Sequence, residues 1–180
     1  MAVLIYEQFN GKKSTENGAE ANRGRRGDVI VTIVSANQQN LQEILDLQYL
    51  AYQSEAKLLD NYFIPPLVQT LQDVQQEYEK GYFLKAVKCG TIIGSVRAYS
   101  QNETLHIGKL IVHPDFQGQG IGTKLLSEIE RKYPHKRYEL FTSSKSARNI
   151  KLYKNLGYSI LKIEQISDEL EFVYLCKQAG

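Results

Sequence analysis

The sequence of 180 residues is poor in the features that mark metalloproteins, disulfide-rich domains and membrane proteins. Its two cysteines and three histidines do not have the spacing of metal ligands. Cys89 and Cys176 lie in apolar, strand-like runs, so we expect both to be small buried side chains. No apolar run approaches membrane-spanning length and no signal peptide is evident. We therefore expect a cytoplasmic protein that holds no metal.

The sequence also lacks a large excess of charge of either sign. Its 22 Lys and Arg residues nearly balance 20 Asp and Glu residues, for a formal net charge of +2. So small a net charge gives no strong attraction to nucleic acid or to a membrane surface. We therefore expect neither as a partner.

The first 28 residues differ in composition from the rest of the chain. Residues 10–27 are rich in Gly, Asn, Lys, Arg and Glu, which is typical of a segment that buries too little apolar surface to fold. We predict a flexible extension over residues 1–28 and one domain over residues 29–180.

Hydrophobic periodicity, glycines and prolines predict an α+β (α/β) domain in the order β-α-α-β-β-β-α-β-α-β-β, which favours a mixed sheet. Residues 55–66 are predicted to be irregular. The predicted strands are residues 29–35, 82–88, 91–99, 104–112, 137–142, 158–166 and 171–176. The predicted helices are residues 37–53, 67–80 and 146–155, and the amphipathic run with Leu125, Leu126 and Ile129 that follows the glycines and is stopped by Tyr133-Pro134.

The most informative stretch is residues 110–126, where an apolar strand leads through glycines into a helix. Gly118, Gly120 and Gly122 occupy alternate positions just before the helical run. The first N–H groups of a helix lack intrahelical partners, and the helix dipole favours negative charge there. Glycines leave room for a phosphate to approach those groups. The stretch therefore predicts a loop that binds pyrophosphate.

Glycine spacing separates the families that build such loops. A P-loop needs lysine directly after its last glycine, whereas Gly122 is followed by Thr123. The dinucleotide-binding fingerprint, counted from Gly118, needs glycine where this chain has Thr123. A nucleotide-binding protein is therefore disfavoured. The pattern that the chain does meet is Gln/Arg-x-x-Gly-x-Gly/Ala, at Gln117, Gly120 and Gly122.

With Val112-x-Pro114 just upstream, this pattern resembles the acyl-coenzyme A site of the GNAT superfamily of N-acyltransferases. A second segment, Asn149-x-x-x-Tyr153-x-x-x-Gly157, resembles the GNAT segment that contacts the pantetheine arm and the thioester sulfur. The resemblance covers most of the predicted domain. It implies the GNAT fold, in which helices cover both faces of a mixed, mostly antiparallel sheet.

The resemblance implies an N-acetyltransferase that moves an acetyl group from acetyl-CoA, its acyl-donor substrate, to a primary amine by direct attack in a ternary complex. It also implies that residues 110–112 splay from the neighbouring strand and pair with the pantetheine amides. Tyr153 would be the acid, because a phenol can donate a proton to the leaving thiolate. The implied cofactor-binding residues are Leu110, Ile111, Val112, Gln117, Gly118, Gln119, Gly120, Ile121, Gly122, Thr123 and Asn149.

The strand before the glycine-rich loop is where the family often places a general base. His106 lies there and titrates in the right range. Its side chain shares a strand face with Gly108 and Leu110 if the strand is regular. We therefore predict His106 as the catalytic base, with Glu103 and solvent as alternatives.

We expect the acceptor to bind under the two early helices, at Tyr52, Glu55 and Asp60, where carboxylates could attract a cationic amine and aromatic rings enclose it. A small amine, a polyamine, an amino sugar, an amino acid and a protein N-terminus all remain open as acceptors. The alternative function is a non-catalytic module that binds acetyl-CoA. The sequence leaves a homodimer open.

Overall fold

The structure is a computed structural model that describes residues 30–168 and 170–179, so the predicted extension over residues 1–28 lies outside the described residues and stays a prediction. Along the described chain, one strand is followed by three helices and three strands, then by a helix, a strand, a helix and two final strands, and short 3-10 turns precede the first and fourth helices. The elements are β1 (Thr32–Ser35), α1 (Leu41–Leu59), α2 (Pro65–Val68), α3 (Leu71–Lys80), β2 (Tyr82–Lys88), β3 (Thr91–Gln101), β4 (Thr104–Val112), α4 (Ile121–Lys132), β5 (Arg137–Ser143), α5 (Ala147–Asn155), β6 (Ser159–Ser167) and β7 (Leu170–Gln178).

The described strands form one mixed sheet in the order β1-β2-β3-β4-β5-β7-β6. Every neighbouring pair is antiparallel except β4 and β5, which run parallel. The parallel pair needs a crossover connection, which α4 supplies. The predicted mixed, mostly antiparallel sheet is therefore confirmed.

Helices cover both faces of this sheet, as predicted. On one face, Leu125, Leu126 and Ile129 of α4 are fully buried against β2, β3 and β4. On the other face, α1 packs Leu41 and Ile44 into a second cluster with side chains of the same strands. Each helix buries the apolar stripe that its sequence carries, and this burial holds the sheet between two layers.

The two early helices differ from their predicted bounds. Residues 55–59, predicted to be irregular, continue α1 to Leu59. The predicted helix over residues 67–80 is two helices, because Thr70 begins α3 with a capping box in which its side chain accepts from the Asp73 backbone N–H. The longer α1 places Tyr52 and Glu55 on one rigid element.

A β-bulge interrupts β4 where the predicted cofactor strand begins. Ser95 faces Ile111 and Arg97 faces Gly108, so Lys109 and Leu110 together lie opposite one residue of β3. Lys109 takes a φ of 47°, a left-handed conformation that a side chain adopts only with strain.

This bulge makes one prediction wrong. Leu105 and Ile107 pack into the α4 side of the sheet, so His106 between them faces the other side. The extra residue turns Leu110 back toward the α4 cluster. His106 and Leu110 therefore do not share a face.

The prediction that both cysteines are buried is wrong for Cys89. Cys89 and Gly90 form the turn between β2 and β3, as predicted, but Cys89 is exposed there with a φ of 50°. A two-residue hairpin turn projects its side chains away from the core. Cys176 is partly buried on β7, and both cysteines are free thiols.

Candidate active site

The parallel strands β4 and β5 separate halfway along their length. Their pairing runs from Thr104 with Arg137 to His106 with Glu139, and goes no further. Both strands continue, to Val112 and Ser143, as they diverge. The edge of β4 over residues 107–112 therefore has no β5 partner and can pair with an extended ligand, as the resemblance implied. We call the space between residues 107–112 and 140–143 the β4–β5 gap.

The glycine-rich loop lies at one end of this gap. Gly118 and Gly120 have φ values of 78° and 77°, a conformation that favours glycine. A Cβ atom at either position would meet no atom within 4 Å, so the space above the backbone is open. Gly120 is the N-cap of α4, and the first intrahelical bond runs from the Lys124 N–H to its carbonyl. The preceding N–H groups are left available for an anion.

Polar side chains fix the conformation of this loop. Gln117 donates from Nε2 to the Val112 carbonyl over 3.2 Å, which ties the loop to the end of β4. Its Oε1 accepts from Arg148 Nη1 of α5 over 2.6 Å. Gln119 donates from Nε2 to the Asp115 carbonyl over 3.2 Å. Arg148, which no sequence motif indicated although it directly precedes Asn149, brings a cation to the predicted pyrophosphate site.

The other predicted cofactor residues line the start of α4 and the end of β4. A Cβ atom on Gly122 would lie 3.6 Å from the Leu152 side chain and 3.9 Å from those of Leu110 and Val112, so α4, α5 and β4 meet at this glycine. Ile121 is buried in the α4 core and Ile111 in the cluster under α1, whereas Thr123 is partly buried. For Ile111 and Ile121, only the backbone is available to a ligand.

Helix α5 places its two predicted site residues at the opposite wall of the gap. Asn149 donates from Nδ2 to Thr142 Oγ1, 3.3 Å away on the diverging part of β5. Tyr153, one turn later, is only 7% exposed. Burial raises the pKa of its phenol, and nearby Tyr52 and Glu55 raise it further. The Tyr153 hydroxyl therefore stays protonated at neutral pH and can donate.

Glu55 of α1 contacts the start of α5, the helix that carries Tyr153. Both of its carboxylate oxygens accept from Ser146 Oγ, at 2.7 and 2.9 Å, and Ser146 is the N-cap of α5. Burial raises the pKa of neighbouring Tyr52 to about 12, although the Arg97 cation opposes the shift. Tyr52, Glu55 and Tyr153 thus form one cluster.

Asp60 is the predicted acceptor residue that this cluster leaves out. It is the exposed C-cap of α1 and takes a left-handed conformation with a φ of 51°. No contact among the described residues links its carboxylate to Tyr52, Glu55 or Tyr153. Its left-handed conformation ends the helix. A role in binding the amine stays a prediction.

His106 lies on the still-paired part of β4, facing away from α4. Its ring stacks on Tyr99 with 4.8 Å between centroids, and Nδ1 is 3.7 Å from Glu139 Oε2. Burial lowers the pKa of His106, the Glu139 charge raises it by less, and the group stays below its usual value of 6.5. A neutral imidazole is therefore present at neutral pH.

The alternative base, Glu103, is placed differently. It occupies the turn between β3 and β4 with a φ of 62° and pairs with Lys136 at 2.6 Å. Both side chains are mostly exposed, and the turn is at the end of β4 that lies away from the gap.

A buried polar network, which the sequence analysis missed, lies beneath the bulge. Glu77 of α3 accepts from Lys109 Nζ at 2.5 Å and from Arg97 Nη1 at 2.8 Å. Gln69 donates to the same carboxylate over 2.6 Å. Burial raises the pKa of Glu77, but the Lys109 and Arg97 cations outweigh it and hold the pKa below 4.5. The carboxylate anchors the strained residue of β4 to α3.

No cluster of three His, Cys, Asp or Glu residues in the described part of the chain could hold a metal. No helix within residues 30–168 and 170–179 is long and apolar enough to cross a membrane.

Comparison with known proteins identifies related sequences. A sequence profile of the acetyltransferase (GNAT) family matches residues 41–158. UPF0157 protein YqkA of Bacillus subtilis is 30% identical over 118 residues, which are 65% of this chain and 34% of that protein. The chain thus spans about a third of the length of this relative.

Solved structures share the fold at low sequence identity. The ribosomal-protein-S18-alanine N-acetyltransferase of Escherichia coli superposes with a TM-score of 0.69 at 17% identity, covering 84% of this chain and 97% of that one. The yncA protein of Salmonella typhimurium, solved with acetyl-CoA, superposes with a TM-score of 0.64 at 19% identity, covering 83% and 94%.

Proposed function

Since the chain belongs to the acetyltransferase (GNAT) family, we propose that it transfers an acetyl group from acetyl-CoA to a primary amine by direct attack in a ternary complex. The observation that carries this proposal is the β4–β5 gap, which has the open start of α4 at one end and the protonated Tyr153 at its wall. The gap suits an extended pantetheine arm, the start of α4 suits a pyrophosphate, and the Tyr153 hydroxyl suits a leaving thiolate.

The donor would bind mainly through backbone groups. The free edge of Leu110, Ile111 and Val112 would pair with the pantetheine amides as an added strand does. The start of α4, from Gly118 to Thr123, would hold the pyrophosphate, with Arg148 adding a positive charge. Asn149 would hydrogen-bond the pantetheine arm. The acetyl-CoA in the Salmonella typhimurium relative supports this ligand.

The reaction forms a bond between the amine nitrogen and the acetyl carbon and breaks the bond between that carbon and sulfur. Tyr153 would donate a hydrogen bond or its proton to the departing sulfur, which its raised pKa permits. The amine must lose a proton in the same sequence of steps. His106, neutral because burial lowers its pKa, would accept that proton directly or through water. No covalent intermediate with the protein is needed.

The acceptor would enter beside α1. Glu55 is held by Ser146 and lies next to Tyr52 and Tyr153, so its negative charge would attract a cationic amine toward the thioester. Tyr52 would pack on the acceptor chain.

Two measurements on the full chain test the proposal. Thermal unfolding with acetyl-CoA, ATP or NAD should show stabilisation by acetyl-CoA alone, because a ligand stabilises only the state that binds it. Release of free thiol from acetyl-CoA should then be assayed with small amines, polyamines, amino sugars, amino acids and peptides. Stabilisation without thiol release for any amine would favour the non-catalytic binding module. Stabilisation by ATP or NAD instead would contradict the proposal.

A further inference from the structure

Strand β6 forms an open edge of the sheet. It pairs with β7 on one side, and no described strand pairs with its other side. Three large apolar side chains are exposed on it: Ile160 is 44% exposed, Leu161 45% and Ile163 55%. The strand holds neither proline nor glycine, so every residue offers a backbone N–H and C=O. Natural proteins usually protect such an edge against pairing with another chain.

The sequence of this edge is complementary to itself. Read from Ser159 to Ser167 it is Ser-Ile-Leu-Lys-Ile-Glu-Gln-Ile-Ser. If two copies pair antiparallel about a two-fold axis at Ile163, Lys162 of each lies opposite Glu164 of the other. Moving the axis to Lys162 or to Glu164 would instead place two like charges opposite each other. Of these three registers, charge therefore favours the one centred at Ile163.

The geometry of the strand suits this register. Residues 162–165 pair one by one with β7, and the register shifts lie outside this stretch. Lys162 Nζ and Glu164 Oε2 are 2.7 Å apart on one face, so two copies would form a square of four charges that alternate in sign. Ile163 faces Val173, which is buried, so a second Ile163 beside it would extend the apolar side of the sheet.

We propose that β6 pairs antiparallel with β6 of a second copy of this chain about a two-fold axis at Ile163, forming a homodimer with one continuous sheet. This interface is symmetric, as most homodimer interfaces are. The proposal stands on the edge strand alone and does not depend on the acetyl transfer proposed above.

Charge reversal tests the register. Sedimentation velocity of the full chain over a range of concentrations should show a reversible dimer. Lys162→Glu and Glu164→Lys should each weaken dimerisation by about tenfold or more, because each places like charges opposite each other. An equimolar mixture of the two variants should restore the dimer, because each reversed side chain then faces an opposite charge. The double variant should dimerise as the original chain does.

Lys154→Glu, on the exposed face of α5, is the matched control and should leave the dimer unchanged. Both β6 side chains are largely exposed, so thermal melts should show folded variants. If a single variant fails to fold, the double variant decides, and its dimerisation supports the proposal. A monomeric original chain, dimers that persist in both single variants, or a mixture that stays monomeric would each overturn it.

Discussion

Tyr153 combines a buried ring with a raised phenol pKa at the wall of the β4–β5 gap. Tyr153→Phe removes one oxygen and keeps the ring, so the fold should survive. An interaction with the leaving sulfur matters mainly in the transition state, so we expect kcat to fall about 10²-fold while KM for acetyl-CoA stays nearly unchanged. Steady-state kinetics and a thermal melt on each protein provide the measurement.

Tyr158→Phe is the control for this prediction. Tyr158 is also a buried tyrosine, and its hydroxyl donates to Glu130 over 2.8 Å. Its loss should lower stability and leave kcat near that of the original enzyme. A Tyr153→Phe enzyme whose kcat stays within about twofold would end the general-acid assignment, unless product release limits both enzymes.

The proposed role of His106 as the base predicts that kcat/KM depends on pH. Because burial lowers its pKa below 6.5, the imidazole is neutral at neutral pH and gains its proton only as the pH falls through the lowered value. A base works only when unprotonated, so kcat/KM should fall on that acidic side. His106→Gln should slow the enzyme and remove this acidic limb.

His135→Gln is the matched control, since the His135 ring hydrogen-bonds Ser100 Oγ and the Tyr133 carbonyl away from the gap. That variant should keep the limb. An acidic limb that persists in His106→Gln would assign the proton to another group or to solvent.

The binding role of Gly120 at the start of α4 can be tested by comparison with Gly90, which has the same backbone conformation in the turn between β2 and β3. Gly120 and Gly90 have φ values of 77° and 82°, and a Cβ atom at either would meet no atom within 4 Å. Alanine at each position should therefore bring a similar backbone strain of about 1 kcal/mol. Only Gly120→Ala should weaken coenzyme A binding, by about tenfold or more, because its methyl group would stand where the pyrophosphate approaches.

Isothermal titration with coenzyme A measures this difference, and melts of both variants measure the shared strain. Equal coenzyme A affinity in folded Gly120→Ala and Gly90→Ala proteins would contradict the assignment of the pyrophosphate site.

At the scale of the whole molecule, Glu77 joins α3, β3 and the bulge of β4 through Arg97 and Lys109. Glu77→Gln keeps the size of the side chain but removes the charge between the buried Arg97 and the partly buried Lys109. We expect the free energy of unfolding to fall by about 2 kcal/mol near neutral pH. Glu79→Gln, on the exposed face of the same helix, should change it little.

The sign of the pH effect follows from the lowered pKa of Glu77. A carboxyl group whose folded pKa lies below 4.5 stabilises the fold above that value and loses the contribution as the pH falls through the folded pKa. The difference between the original chain and Glu77→Gln should therefore shrink as the pH falls below about 4.5. Urea unfolding at several pH values measures it, and a constant difference would show that the charge of Glu77 is not what stabilises the fold.

Features that depend on local stereochemistry could be predicted from the sequence alone. β2 and β4 have their predicted bounds, α4 begins at the glycine-rich loop, and Gly157 follows α5 with a φ of 90°. Glycine, proline and hydrophobic period act within a few residues, so they can be read without knowing the rest of the fold. The family motifs lie in these same segments.

Contacts between residues far apart in the chain could not be predicted and depend on the tertiary fold. Glu55 and Ser146 are 91 positions apart. Glu77 of α3 contacts Arg97 of β3 and Lys109 of β4. The bulge at Lys109 reversed the face expected of Leu110, and the divergence of β4 from β5 opened the gap. Each of these depends on burial and strand pairing between segments far apart in the chain, which no local pattern records.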